Sequence, residues 1–233
     1  SQFTYSASHD LQEPLRKIAF FLDRLIGNIG SELSDENKSI AQRIQHTTDR
    51  MQGLIDDLLA YSNTTLGVTQ FKEVSLTHII KNVLDDMEAT LIKKKATISL
   101  SELPNIKGDE RQLRQLFQNL ISNALKYHKK DELPQVQISA QLVQGKDIRA
   151  GIPPEFHSQT MHLVQVKDNG IGFNPEDASR IFDLFQRLHG KTEYEGTGIG
   201  LAIVQKVVES HYGYVWAEGK PGEGAVFNVL LPV

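Results

Sequence analysis

The chain has 233 residues, 39% of them hydrophobic, which is enough to bury a real core in one large domain or two small ones. A formal charge of -4, with only the short basic run Lys93-Lys94-Lys95, excludes the electrostatic footprint of a protein that wraps nucleic acid. The absence of cysteine excludes a disulfide framework and thiolate metal sites and fits a reducing, cytoplasmic setting, and no apolar stretch approaches the ~20 residues that cross a bilayer.

From Thr4 to Ile29, the positions Thr4, Ser8, Leu11, Leu15, Ile18, Leu22, Leu25 and Ile29 recur at alternating steps of four and three. This is the seam of a helix that packs on other helices. Gly27 and Gly30 are expected to break it, and Ser34 before Asp35 and Glu36 offers an N-cap with acids in the first turn. The second seam runs Ile40, Ile44, Thr47, Met51, Leu54, Leu58, Tyr61, so residues 1–62 read as an antiparallel helical hairpin. A lone hairpin cannot enclose two apolar stripes, and a homodimer forming a four-helix bundle is the natural solution. Opening at Ser1 rather than Met, the chain reads as part of a larger protein, with any sensor or membrane segment upstream.

His9 stands one residue off the seam, on the outward face with Gln12, Glu13 and Arg16. Pro14 cannot donate to the carbonyl of Asp10, so a bend is expected beside the imidazole. A neutral imidazole is a competent nucleophile near pH 7, and Asp10 can hold one ring nitrogen protonated while the other attacks. Taken alone, an exposed histidine beside an acid is also ordinary helix surface.

Ser62-Asn63-Thr64-Thr65-Leu66-Gly67 is a polar break suited to a linker and hinge, and a second domain starts near residue 70. Helical stretches are expected near 76–92, 109–128 and 199–211, and strands at 136–142, around 164–166 and at 225–231. Without a strict βαβ repeat, these predict an α+β layer with helices on one face of a mixed sheet. A long loop, 145–160, contains Pro153-Pro154.

Within the helix 109–128, Asn119, Asn123, Lys126 and Tyr127 share one face, where amide oxygens can ligate Mg²⁺ beside phosphates and a lysine can meet phosphate charge. Asp168-Asn169-Gly170-Ile171-Gly172-Phe173 follows a strand: its glycines let backbone pass close to a ligand, and a buried carboxylate suits the amino group of adenine. The same residues also make a good strand-ending turn. Gly196-Thr197-Gly198-Ile199-Gly200 opens a helix beginning at Leu201, an anion site that is neither the Walker nor the Rossmann pattern. The span between, with Phe182, Phe185 and Arg187, is expected to form a lid, its stretch from Gly190 to Gly196 being loop.

The segment Ser8-His9-Asp10-Leu11-Gln12-Glu13-Pro14-Leu15-Arg16 resembles the H box of sensor histidine kinases, especially the phytochrome-like branch. The motifs after it are similar, in order, to that family's N, G1, F and G2 boxes. The resemblance covers nearly the whole chain. It implies a dimerisation and histidine-phosphotransfer domain over 1–66 and a catalytic α/β sandwich, binding ATP and Mg²⁺, over 70–233. By the same resemblance His9 is the phospho-acceptor and Asp10 its base; Asn123 binds Mg²⁺ and Asn119 orients the reacting phosphate. Lys126 and Arg187 touch phosphates, Tyr127 lines the pocket, and Asp168 reads adenine. Gly170, Gly172, Gly196, Thr197, Gly198, Gly200 and Leu201 complete the nucleotide-binding set. The implied partner is a response regulator receiver domain, whose aspartate takes the phosphoryl group. Glu13 departs from the pattern: many members carry Thr or Asn there to position water for dephosphorylating the partner, so the resemblance implies kinase activity and leaves phosphatase activity open.

Two rival readings use the same motifs. An ATPase of the gyrase kind shares the glycine boxes but places a glutamate base where Asn119 stands and has no H box, and a non-catalytic scaffold would dimerise without binding nucleotide.

Overall fold

The computed structural model describes residues 2–29, 32–66, 71–148, 151–188 and 196–233, with side chains described from Leu11 onward and, in the second helix, as far as Ser62. The chain divides into two units, Ser1–Leu66 and Gly67–Val233.

The first unit is a helical hairpin of α1 (Gln2–Ile29) and α2 (Asp35–Leu66). Gly27 lies inside α1, which ends where the Glu32 and Leu33 N–H groups both close on the Ile29 carbonyl. Ser34 begins α2 as the sequence predicts: its Oγ accepts from the Asn37 N–H at 3.2 Å and its carbonyl from Lys38. Contrary to the expected polar linker, α2 continues through Ser62 to Leu66; Ser, Asn and Thr tolerate helix when the chain is already propagating it. The rest of the expected hinge, 67–70, lies outside the described residues.

The seam of α1 is only half used within the chain. Leu15 and Leu22 are buried, while Leu11, Ile18, Leu25 and Ile29 stay exposed. On α2 the buried positions are Ala41, Thr48 and Ile55, one residue beyond the expected Ile40, Thr47 and Leu54. Small Ala41 and Thr48 let the helices approach closely, and the larger Ile40, Ile44 and Met51 are left outside. Gln12 Nε2 of α1 and Gln52 Nε2 of α2 both donate to Asp56 Oδ1, at 2.8 and 3.1 Å.

The second unit is a sheet with helices on one face. Strand β1 (Lys72–Ser75) pairs antiparallel with β3 (Asn105–Gly108). The main sheet runs β2 (Thr97–Leu100), β4 (Gln135–Gln144), β5 (Thr160–Asp168), β7 (Gly224–Pro232), β6 (Tyr214–Lys220), with β2 parallel to β4 and the other neighbours antiparallel. The mixed sheet matches expectation.

The expected helix 76–92 is broken at Met87 into α3 (Leu76–Asp86) and α4 (Glu88–Lys94). Helices α3, α5 (Glu110–Lys126) and α6 (Gly200–Ser210) supply the core: Ile80, Leu113, Leu116, Phe117, Leu120, Ile203 and Val207 are completely buried with Val164 and Val229 of the sheet. The other sheet face presents Met161, Leu163 and Leu230, covered by Ile152 and Phe156 from the 145–160 connection, which folds into two short 3-10 turns.

Candidate functional site

The site lies where the C-terminal half of α5, the end of β5 and the start of α6 meet. Asp109 caps α5, its Oδ1 accepting from the Gln112 N–H, and the apolar stripe of α5 packs on the core. That packing turns the polar face of Asn119 and Asn123 toward α6 and the pocket.

Asp168 is the last residue of β5 and is 9% exposed. Both of its hydrogen bonds fall on Oδ1, from the Gly170 N–H at 2.8 Å and the Ala225 N–H at 3.2 Å. Oδ2 is thereby left to meet a donor in the pocket. Burial pushes the carboxyl above the ordinary carboxylate range, against the two N–H groups, which pull it down.

The following turn is held by backbone. Ile171 N–H donates to the Tyr127 carbonyl at 2.8 Å, and Asn169 Oδ1 accepts from Gln135 N–H at 2.8 Å. Gly172 adopts φ +63, and a Cβ there would lie 2.0 Å from the Lys220 carbonyl oxygen, so glycine is required.

At the start of α6, Gly198 has φ +79, and its carbonyl accepts from the Phe185 N–H at 2.9 Å. Arg187 Nη1 donates to the Gly196 carbonyl at 3.0 Å. Thr197 Oγ1 accepts from Ile199 N–H at 3.3 Å, and a Cβ on Gly196 would meet Lys126 Nζ at 2.3 Å. Lys126 Nζ in turn donates to Tyr127 Oη at 2.8 Å and lies 4.4 Å from the centre of that ring. Gly200 faces Asn119, whose Nδ2 is buried without a partner among the described residues. The atom nearest Gly200 is the amide Oδ1, at 3.5 Å from a Cβ built there, and the buried Nδ2 still calls for an acceptor.

A pocket open to solvent is walled by Asn123, Tyr127, Asp168, Gly172, Arg187 and Leu201. The structure thus gathers those six expected residues around one volume and sets Asn119, Lys126, Gly170, Gly196, Thr197, Gly198 and Gly200 at its edge or in the turns that shape it. Phe173, Ile181, Gln186, Leu188, Ala225 and Phe227 also line it, and the sequence motifs do not mark them as binding residues. Ala225 acts through its backbone N–H, which no side-chain pattern displays. Residues 189–195, most of the expected lid loop, lie outside the described residues.

His9 and Asp10 fall within α1, but their side chains lie outside the described residues. Nearby, Glu13 and Arg16 are exposed, and Glu13 pairs with Lys17 Nζ at 2.5 Å. Gln12, Glu13 and Arg16 of α1 face Thr48, Asp49 and Gln52 of α2 across a polar groove.

Residues 108–233 match the model of the family described as histidine kinase-, DNA gyrase B- and HSP90-like ATPase. The chain belongs to this family. Residues 1–67 match a second family, the His Kinase A (phospho-acceptor) domain. Carried on one chain, with the phospho-acceptor domain first, the two make it the core of a sensor histidine kinase. The kinase core is similar to Cyanobacterial phytochrome A of Nostoc (38% identity over all of this chain and 28% of the relative). It is also similar to Phytochrome-like protein Cph1 of Synechocystis (33% identity, all of this chain and 29% of the relative). Sensor histidine kinase WalK of Bacillus subtilis is 29% identical over 99% of this chain and 36% of its own length. The chain thus spans less than a third of the two phytochrome relatives. Among solved structures, full-length ShkA in complex with AMPPNP shares the fold, with a TM-score of 0.72 at 24% identity over 99% of this chain and 45% of its own. So does histidine kinase ThkA in complex with response regulator protein TrrA, with a TM-score of 0.62 at 20% identity over 100% of this chain and 61% of its own.

Proposed function

We propose that the chain is an ATP-dependent protein histidine autokinase that phosphorylates His9 and passes the phosphoryl group to an aspartate of a response regulator. The observation that carries this reading is a pocket walled by the buried carboxylate of Asp168, by Asn123 and Arg187, and by Leu201 at the glycine-rich start of a helix, on a chain whose first helix bears His9.

Asp168 Oδ2 accepts from the amino group of adenine, which fixes the base and discriminates against a carbonyl at that position. Tyr127, Phe173, Ile181 and Leu201 exclude water around it. The backbone N–H groups of Gly198, Gly200 and Leu201, with Asn119, Lys126 and Arg187, stabilise the negative charge of the phosphates. The amide oxygen of Asn123 is a hard ligand that suits Mg²⁺, an ion that keeps several waters and needs few protein ligands beside phosphates. When bound, Mg²⁺ neutralises charge on the phosphate oxygens.

Asp10 holds the proton of one His9 nitrogen, and the other nitrogen attacks the γ-phosphorus. The bond to the bridging oxygen breaks, ADP leaves, and the imidazolium proton passes to Asp10. A carboxylate of the receiver then attacks the phosphorus of phosphohistidine, the P–N bond breaks, and the proton returns from Asp10 to the ring, which restores His9.

The exposed stripe of Leu11, Ile18, Leu25 and Ile29 on α1, with Ile40, Ile44 and Met51 on α2, supports a homodimer that closes a four-helix bundle. Residues 1–66 serve as the dimerisation and phosphotransfer domain and 70–233 as the catalytic domain. Among the described residues, no helix is long and apolar enough to cross a membrane. Glu13, negatively charged and paired with Lys17, is a poor group for orienting water onto an acyl phosphate, which favours net kinase over phosphatase action.

Incubation with ATP carrying radioactive γ-phosphate should give acid-labile, base-stable label on the chain, and His9→Gln should abolish it. Label persisting in His9→Gln would remove His9 from the mechanism. ATP hydrolysis with no phosphoprotein would favour a plain ATPase.

A further inference from the structure

The end of the α5–α6 pair remote from the pocket carries a buried polar cluster that the reaction does not use. His211, the C-cap of α6, is 2% exposed. Its Nε2 accepts from the backbone N–H of Asp109, the N-cap residue of α5, at 3.0 Å, and Nδ1 lies 2.8 Å from the Val207 carbonyl. These partners fix the neutral tautomer, with the proton on Nδ1. Burial keeps the imidazole below its ordinary range, which preserves Nε2 as an acceptor. Ser210 Oγ lies 3.0 Å from Gln112 Oε1 of α5 and 2.7 Å from the Val207 carbonyl, two acceptors that share its one proton, and so forms a second contact between the same helix ends.

One face of the imidazole is closed by Phe71, stacked at 4.8 Å between ring centres and 20° between planes. Phe71 directly precedes β1, whose first residue Lys72 pairs with Gly108, next to Asp109. Gly108 leaves no room at the ring, since a Cβ there would lie 3.0 Å from His211 Nε2. The ring is therefore held by an aromatic on one side and backbone on another.

The helices that meet at His211 are the two whose opposite ends form the nucleotide site. Gln112 touches Ser210 at the tied end, while Asn119 faces Gly200 at the other. From Gln112 to Asn123 the helix rises about 17 Å. A small rotation at the tied end therefore displaces Asn119 and Asn123 relative to the glycine-rich start of α6.

We propose that His211 is a positioning residue for the nucleotide site, tying α5 to α6, and that Phe71 is the seat that holds it there. The inference rests on the nucleotide-site reading above. It makes the first residues of the second unit part of the mechanism that sets ATP affinity. Removing the ring of Phe71 admits water to His211 and weakens its bond to the α5 N-cap, so the spacing of the phosphate-binding groups relaxes while their chemistry is intact.

The experiment uses the full chain and compares wild type, Phe71→Ala and Phe71→Trp for binding of a fluorescent ATP analogue, KM for ATP, and autophosphorylation rate at saturating ATP. Phe71→Ala should weaken analogue binding and raise KM by roughly threefold to tenfold, the effect of losing one aromatic pair. Its rate at saturating ATP should stay within about twofold of wild type, and Phe71→Trp, which keeps a stacking ring, should restore KM. A thermal melt of each variant gives its folded fraction. A merely structural role lowers the maximal rate with that fraction and leaves KM alone, and an unchanged KM in folded Phe71→Ala overturns the proposal. Failure of the wild-type chain itself to bind the analogue would instead overturn the nucleotide-site reading.

Discussion

Asp168 shows how one carboxylate is prepared for one task. Its Oδ1 is satisfied by two backbone N–H groups and its Oδ2 is presented to the pocket. An Asp168→Asn substitution cannot reproduce this in either orientation: the amide NH₂ faces Gly170 and Ala225 N–H groups, or it faces the donor of the ligand. The expected loss is about 1–3 kcal/mol, or roughly tenfold to a hundredfold in nucleotide affinity, measurable by titration with a fluorescent ATP analogue. The carboxyl's raised pKa adds a pH signature. Nucleotide affinity should be full above the folded-state value and fall as the pH drops through it, a window above the ordinary 3.8. Stability runs the other way: a raised folded pKa contributes stability below the ordinary value, and that contribution is lost as pH rises through the folded one.

At the scale of elements, the helices were legible because their apolar spacing is long and regular, and the Ser34 cap because its chemistry is local. The short strands β1, β2 and β3, of four residues each, carry too few positions to display a period. Strand β6 was missed although Tyr214, Val215, Trp216 and Ala217 alternate in burial, because aromatic residues on its second face blur the apolar-polar contrast. Much of the site could be read from glycines and amides, whereas Ala225 could not, since its contribution is a backbone N–H brought in by the β5–β7 register. The one-residue offset of the α2 seam has a similar origin: periodicity finds a stripe but not which half of it faces the partner helix in the same chain. That division gives a test. Ile18→Asp with Leu25→Asp places charge on the exposed half-stripe and leaves the buried Leu15 and Leu22 intact. Light scattering at micromolar concentration should then report a monomer where the unaltered chain reports a dimer, and a monomeric unaltered chain would remove the bundle.

The molecule as a whole joins two units of unequal self-sufficiency. Gly67–Val233 encloses a deep core of its own, with residues such as Phe117, Leu120 and Val229 wholly out of water. Among the described residues the hairpin buries Leu15, Leu22, Ala41, Thr48 and Ile55 and leaves Leu11, Ile18, Leu25, Ile40 and Ile44 exposed, surface that the proposed second copy would shelter. Its stability therefore obeys mass action, whereas that of the catalytic unit does not. Calorimetry over a hundredfold dilution should resolve two transitions, with the hairpin transition falling in temperature on dilution and the other fixed, and two concentration-independent transitions would contradict this. Through that stripe, cellular abundance becomes a variable of the signalling reaction. With the stripe closed by a second copy, as proposed, a falling copy number is expected to loosen α1 while the nucleotide pocket stays folded, so that phosphorylation declines more steeply than the number of molecules.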